Sequence, residues 1–117
     1  MRIGFIGLGN VGGKLAKNLL NNQFDLTVFD KNKEILNDFE LSGSKIASSI
    51  TQLVENTDLI ITCLPSPEVC AEVLESNIGI INSIQEGQIW MEMSTTDEEQ
   101  LKKHAAMIEE KKAIALE

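Results

Sequence analysis

The chain opens Arg2-Ile-Gly-Phe-Ile-Gly-Leu-Gly-Asn-Val-Gly-Gly13, a short apolar strand running straight into a glycine turn and then a helix. Ile3, Phe5 and Ile6 supply the strand, and Val11, Leu15, Leu19 and Leu20 recur at helical spacing behind it. The turn itself, Gly7-Leu8-Gly9-Asn10-Val11-Gly12, is a G-x-G-x-x-G. In such a unit the first glycine permits the tight turn. The second lets backbone approach a pyrophosphate, and the third lets the helix pack closely on the strand. The unpaired N–H groups and positive dipole end of the helix then face the diphosphate.

Glycine-rich turns are common, so the context decides. A second apolar strand, Leu26-Thr-Val-Phe29, follows the helix and ends in Asp30. That carboxylate follows Gly12 at close to the separation of about 20 residues at which an acid meets the ribose hydroxyls of a dinucleotide. The plainer reading of Asp30 is an N-cap for a helix starting at Lys31.

Beyond this unit, strands and helices continue to alternate. The patterning predicts strands at 2–6, 25–29, 45–47, 58–64, 88–92 and 113–116. Helices are predicted at 10–22, 31–41, 49–55, 68–75 and from Thr96 or Asp97 to about Lys112, with a short turn over 78–84. Ser49-Ile-Thr-Gln52 reads as a capping box, and Pro67 suits a first helical position. The run Asp58–Leu64 is almost continuously apolar, as in a strand covered on both faces. Alternation of this kind gives an α/β fold, a doubly wound parallel sheet of about six strands. By analogy with Rossmann-type dinucleotide-binding domains its expected strand order is 3-2-1-4-5-6, with residues 1–117 forming one such domain.

Composition removes several function classes. The net charge of −8 argues against nucleic acid or an anionic membrane as partner. No apolar run approaches the roughly 20 residues of a membrane span, and no signal peptide precedes the first strand, so the expected location is cytoplasmic. Cys63, read as a buried small hydrophobe, and Cys70, on a helix, fit no metal spacing. With His104 the one histidine, no metal site is expected. Trp90 reads as core under a helix.

In a doubly wound sheet, ligands bind beyond the carboxyl ends of the strands. Those ends carry Gly7–Gly12, Asp30, Leu64-Pro65-Ser66-Pro67 and Glu92-Met-Ser-Thr-Thr-Asp97. The two prolines are loop punctuation or a fixed ligand wall. Ser94, Thr95 and Thr96 are helix caps or a hydroxyl cluster for a carboxylate or a nicotinamide ribose.

Three segments carry a resemblance: Gly4–Gly12 with Ala16-Lys-Asn-Leu19, Asp58–Val69, and Glu92–Asp97. In them the chain resembles the N-terminal domain of the β-hydroxyacid dehydrogenases, the family of 3-hydroxyisobutyrate dehydrogenase and tartronate semialdehyde reductase. The resemblance implies that Leu8, Asn10 and Val11 contact the cofactor. It implies that Leu64 and Pro65 wall its adenosine side with Val69 nearby, and that Ser94 and Thr95 meet the substrate carboxylate and the nicotinamide ribose. Val11 stands where the family usually has methionine, Glu92 where it has aspartate, and Glu98 where it has proline. Members that prefer NADP often have Asn-Arg after strand 2. The Asp30-Lys31 of this chain favours NAD, because a 2′-phosphate would sit against the Asp30 carboxylate.

The resemblance also implies that the catalytic lysine and a helical second domain lie beyond residue 117. The chain is therefore expected to be an excised domain that is monomeric and inactive alone, from a homo-oligomeric parent that transfers hydride between NAD and a small 3-hydroxy acid. No catalytic residue is assigned within it, and Lys102, Lys103, Lys111 and Lys112 read as a solvated helix face. The alternatives are a domain of the 6-phosphogluconate dehydrogenase or imine reductase type, or a free-standing NAD-sensing module, which would need no hydroxyl cluster after strand 5.

Overall fold

The computed structural model describes residues 1–94 and 97–116. Six strands, β1 (Arg2–Ile6), β2 (Asp25–Phe29), β3 (Lys45–Ile46), β4 (Leu59–Thr62), β5 (Ile89–Glu92) and β6 (Ile114–Leu116), form one sheet in the order β3-β2-β1-β4-β5-β6, every pair parallel. The helices are α1 (Asn10–Asn21), α2 (Lys33–Leu41), α3 (Ile50–Glu55), α4 (Pro67–Glu75), α5 (Ile80–Ser83) and α6 (Glu98–Glu110). The strand order reverses between β1 and β4, which opens a crevice above their carboxyl ends.

Period-two alternation divides the sheet between two cores. Ile3, Phe5, Leu26, Val28 and Ile61 bury against α1 and α2 through Ala16 and Phe39. Ile6, Ile60 and Trp90 face the opposite layer, where Leu53, Leu74, Ile80 and Ile108 of α3 to α6 close over them. Lys17 ties α1 to α2, its Nζ lying 3.1 Å from Ser42 Oγ and 4.9 Å from the centre of the Phe39 ring.

Several boundaries differ from the expectation for physical reasons. α2 starts two residues late because Asn32, not Asp30, caps it: Asn32 Oδ1 accepts from Glu34 N and Ile35 N. β4 stops at Thr62 rather than Leu64. Cys63 N still donates to Ile6 O, but Leu64 N turns away to Ser94 Oγ. In the capping box, Ser49 Oγ accepts from Gln52 N, while Gln52 Oε1 returns to Ser48 N instead of Ser49 N. Pro67 opens α4 behind the Ser66 cap, and Asp97 caps α6.

Trp90 is buried at 1% exposure. Its Nε1 donates to Thr62 Oγ1 (3.1 Å), and its ring meets His104 edge-on at 6.4 Å. The emission of the folded domain is expected to be blue-shifted and to move to the red on unfolding in urea. Water-exposed emission from the native state would show that β5 is misplaced.

His104 is itself buried, and its Nε2 lies 2.7 Å from Glu75 Oε2, joining α6 to α4. His104 and then Lys103, whose Nζ donates to Glu75 Oε1, hold the Glu75 carboxyl below the usual carboxylate range. The folded state therefore binds that proton less tightly than the unfolded chain does. This increment of stability is fully present above the unfolded carboxylate value, about 4.5, and is lost as pH falls through the lowered folded value. Asp58, lowered by Arg2, acts with the same sign. Glu75→Gln is expected to flatten, without abolishing, the acid-side decline of the urea midpoint. An unchanged decline would remove Glu75 from the acid response.

Candidate dinucleotide site

The three glycines of the first turn have different reasons to be glycine. Gly7 has φ +101°, and a Cβ there would run into the Cys63 carbonyl oxygen. A Cβ on Gly12 would run into the Gly7 carbonyl and press on Cys63 Cβ, so this residue brings α1 down onto the strand ends. Both glycines are demanded by the fold itself. Gly9 is not: its φ is −69°, and a Cβ built there meets nothing within 4 Å. The space over Gly9 is open, and α1 begins there with no side-chain cap, whereas Asn32, Ser49, Ser66 and Asp97 cap α2, α3, α4 and α6. The first N–H groups of α1 lack a side-chain acceptor beside a backbone that leaves room for one. Free helix N-terminal N–H groups beside open space are an arrangement able to take an anion.

Asp30 sits at the end of β2 against this turn. Its Oδ2 accepts from Leu8 N (2.8 Å) and its Oδ1 from Asn32 N (2.9 Å). The carboxylate is thereby locked in place by two backbone donors, and each oxygen keeps a lone pair for a further hydroxyl. The N-cap reading of Asp30 is corrected, since Asn32 does that work. Beside it, Lys31 Nζ pairs with Glu72 Oε1 of α4 at 3.0 Å.

The far wall comes from the ends of β4 and β5. Leu64 is buried, Pro65 exposed and Val69 half-buried. Ser94 Oγ accepts from Leu64 N at 2.6 Å, so this hydroxyl stitches the two strand ends together while its own proton stays available to donate. The buried Glu92 holds the stitch: its Oε1 accepts from Thr62 Oγ1 (2.9 Å) and Ser94 N (2.8 Å). The sequence reading missed Thr62 in this network. The available signal was an acid and a hydroxyl placed at the ends of two apolar strands. Thr95 and Thr96, predicted to meet ribose or substrate, lie outside the described residues. Cys63 is corrected from buried to half-exposed; partial burial and then the nearby Glu92 push its thiol up from the ordinary value.

An open groove of about 610 Å³ shares Leu8, Gly9 and Asn10 with the turn and runs outward between α1 and α2, past Lys14, Ile35 and Phe39. It borders the crevice without including Asp30 or Leu64. Among the described residues no group of three or more His, Cys, Asp or Glu is placed to hold a metal ion, and no helix is long and apolar enough to cross a membrane.

Residues 2–117 match the family described as the NAD binding domain of 6-phosphogluconate dehydrogenase. The chain belongs to this family. This NAD-binding domain is 34% identical over 115 residues to mouse mitochondrial 3-hydroxyisobutyrate dehydrogenase, a match that covers 98% of the chain and 34% of the mouse protein. The chain thus spans about a third of the length of the curated relatives it matches. Among solved structures, it superposes on the Mycobacterium tuberculosis 3-hydroxyisobutyrate dehydrogenase with L-serine at TM-score 0.84 and 22% identity, covering 98% of this chain and 39% of that one. It superposes on Psf3 in complex with NADP+ and 2-OPP at TM-score 0.93 and 24% identity, covering 97% and 40%. At these identities the superpositions show the fold. The NAD-binding assignment rests on the family match and fits the geometry: the space over Gly9 is open, and Asp30 is held against the neighbouring Leu8 N.

Proposed function

We propose that this NAD-binding domain serves, within a longer protein, to hold NAD for hydride transfer to or from a small 3-hydroxy acid of the 3-hydroxyisobutyrate type. The observation that carries the reading is Gly9, a residue that nothing in the fold requires to be glycine, at the uncapped start of α1 and beside a fixed carboxylate. The N–H groups of α1 would take the diphosphate. Asp30 would take the adenine-side ribose, Leu8, Asn10 and Val11 would line the approach, and Leu64, Pro65 and Val69 would form the opposite wall. NAD when bound supplies the hydride acceptor. The domain's own residues bind and orient it. Ser94 retains one donating hydrogen for a substrate carboxylate or the nicotinamide ribose, and Thr95 and Thr96 belong to the same proposed cluster.

The test is a titration of the 15N-labelled chain with NAD and NADP. NAD is expected to shift the resonances of Gly9, Asn10, Val11 and Asp30 and to bind more tightly than NADP. Two unit charges about 4 Å apart repel by roughly 1–4 kcal/mol at effective dielectrics of 80 to 20. No response in the turn would overturn the site, and equal or tighter NADP binding would remove Asp30 as the discriminating group. Assay of the full-length protein against small 3-hydroxy acids tests the reaction.

A further inference from the structure

The geometry points to Glu72, a residue outside the cradle, as a determinant of cofactor choice that acts by holding Lys31. The inference rests on the dinucleotide reading above. Lys31 directly follows Asp30 at the end of β2, and Glu72 lies on α4, which follows β4. Since β1 lies between β2 and β4, the 3.0 Å Lys31–Glu72 pair is a strap across the carboxyl end of β1, where the glycine turn sits. Both side chains are well exposed, at 72% and 58%, so neither is committed to the core.

NAD and NADP differ at one group, the 2′-phosphate on the ribose that Asp30 faces. Among the cations near that position, Lys31 is adjacent in sequence to the carboxylate. Lys33 lies further along, in the first turn of α2, Lys14 lies on α1 in the groove beside Gly9 and Asn10, and Lys17 is engaged between Ser42 and Phe39. A free Lys31 would offset the repulsion between Asp30 and a 2′-phosphate. Bound to Glu72, it is turned toward α4 with its charge already matched. Specificity is a difference of affinities, and here one acid repels the wrong cofactor while a second removes the cation that would excuse it. A pair this exposed restrains its lysine by up to about fivefold, or about 1 kcal/mol, which sets the size of the effect.

The experiment measures NAD and NADP affinities calorimetrically for the 117-residue chain, Glu72→Gln, Lys31→Met and the double variant. Low ionic strength is used, where an exposed pair is least screened. Glu72→Gln is expected to raise the NADP-to-NAD affinity ratio about three- to fivefold, and Lys31→Met in that background to cancel the gain. A ratio unchanged within about twofold in Glu72→Gln overturns the inference. So does a gain that survives in the double variant, because the effect would then come from removing negative charge and not from releasing Lys31. If the parent chain binds neither dinucleotide, the site reading itself falls. NAD binding by the parent with an unmoved ratio sinks the role of Glu72 alone.

Discussion

Gly9→Ala is expected to weaken NAD binding at least tenfold while the domain stays folded. The methyl group would meet no protein atom and the backbone there is already in a region open to alanine, so the fold has no objection. The cost to the apo domain is at most about 1 kcal/mol, from replacing glycine at a helix N-cap. For a diphosphate drawn in by the free N–H groups of α1, the same methyl occupies the approach, and a tenfold loss corresponds to about 1.4 kcal/mol. Gly7→Ala is the control with the opposite outcome. At φ +101° and against the Cys63 carbonyl, the added Cβ strains the backbone by about 1–3 kcal/mol before any clash is relieved, so stability falls first. Calorimetric titration with thermal unfolding separates the two effects. A folded Gly9→Ala that binds NAD like the parent would place the phosphate cradle elsewhere.

The purified 117-residue chain is expected to form no NADH from any small hydroxy acid, even at NAD concentrations that saturate it. Hydride departure requires the substrate hydroxyl to lose its proton, and a positioned base contributes about 10²–10⁴-fold. Several titratable groups at the strand ends already have partners. Asp30 accepts from two backbone N–H groups, Lys31 is paired with Glu72, and Glu92 is buried under Thr62 and Ser94. The Cys63 thiol is pushed up by burial, away from the thiolate. Lys102 and Lys103 on α6 pair with Glu98 and Glu75. Ser94 offers a hydroxyl, and the carboxylate beside it, Glu92, is already committed to Thr62 Oγ1 and Ser94 N. NADH absorbance above that of a heat-killed control would show that a catalytic group lies within this chain.

The boundary between what was legible in the sequence and what was not follows the range of the interactions. The alternation of strands and helices, the glycine turn, the core placement of Trp90 and the position of Asp30 at a strand end were legible from local signals, whereas the order of the six strands came by analogy with dinucleotide-binding domains. Those signals are periodicity, turn residues and spacing along one chain. The caps were legible where one side chain reaches its own helix, as at Ser49 and Asp97. At Asp30 the cap alternative is not realised, because its carboxylate satisfies Leu8 N, a donor 22 residues away that only the parallel pairing of β1 and β2 brings within reach. The Leu64–Ser94–Glu92–Thr62 stitch and the Lys31–Glu72 strap are likewise contacts between elements far apart in sequence. Local patterning decided which residues stand at the carboxyl ends of the strands. Only the closed sheet decided which of their polar groups meet each other and which remain for a ligand, because a hydrogen-bonding group takes the nearest available partner in space, and chain separation does not specify that partner.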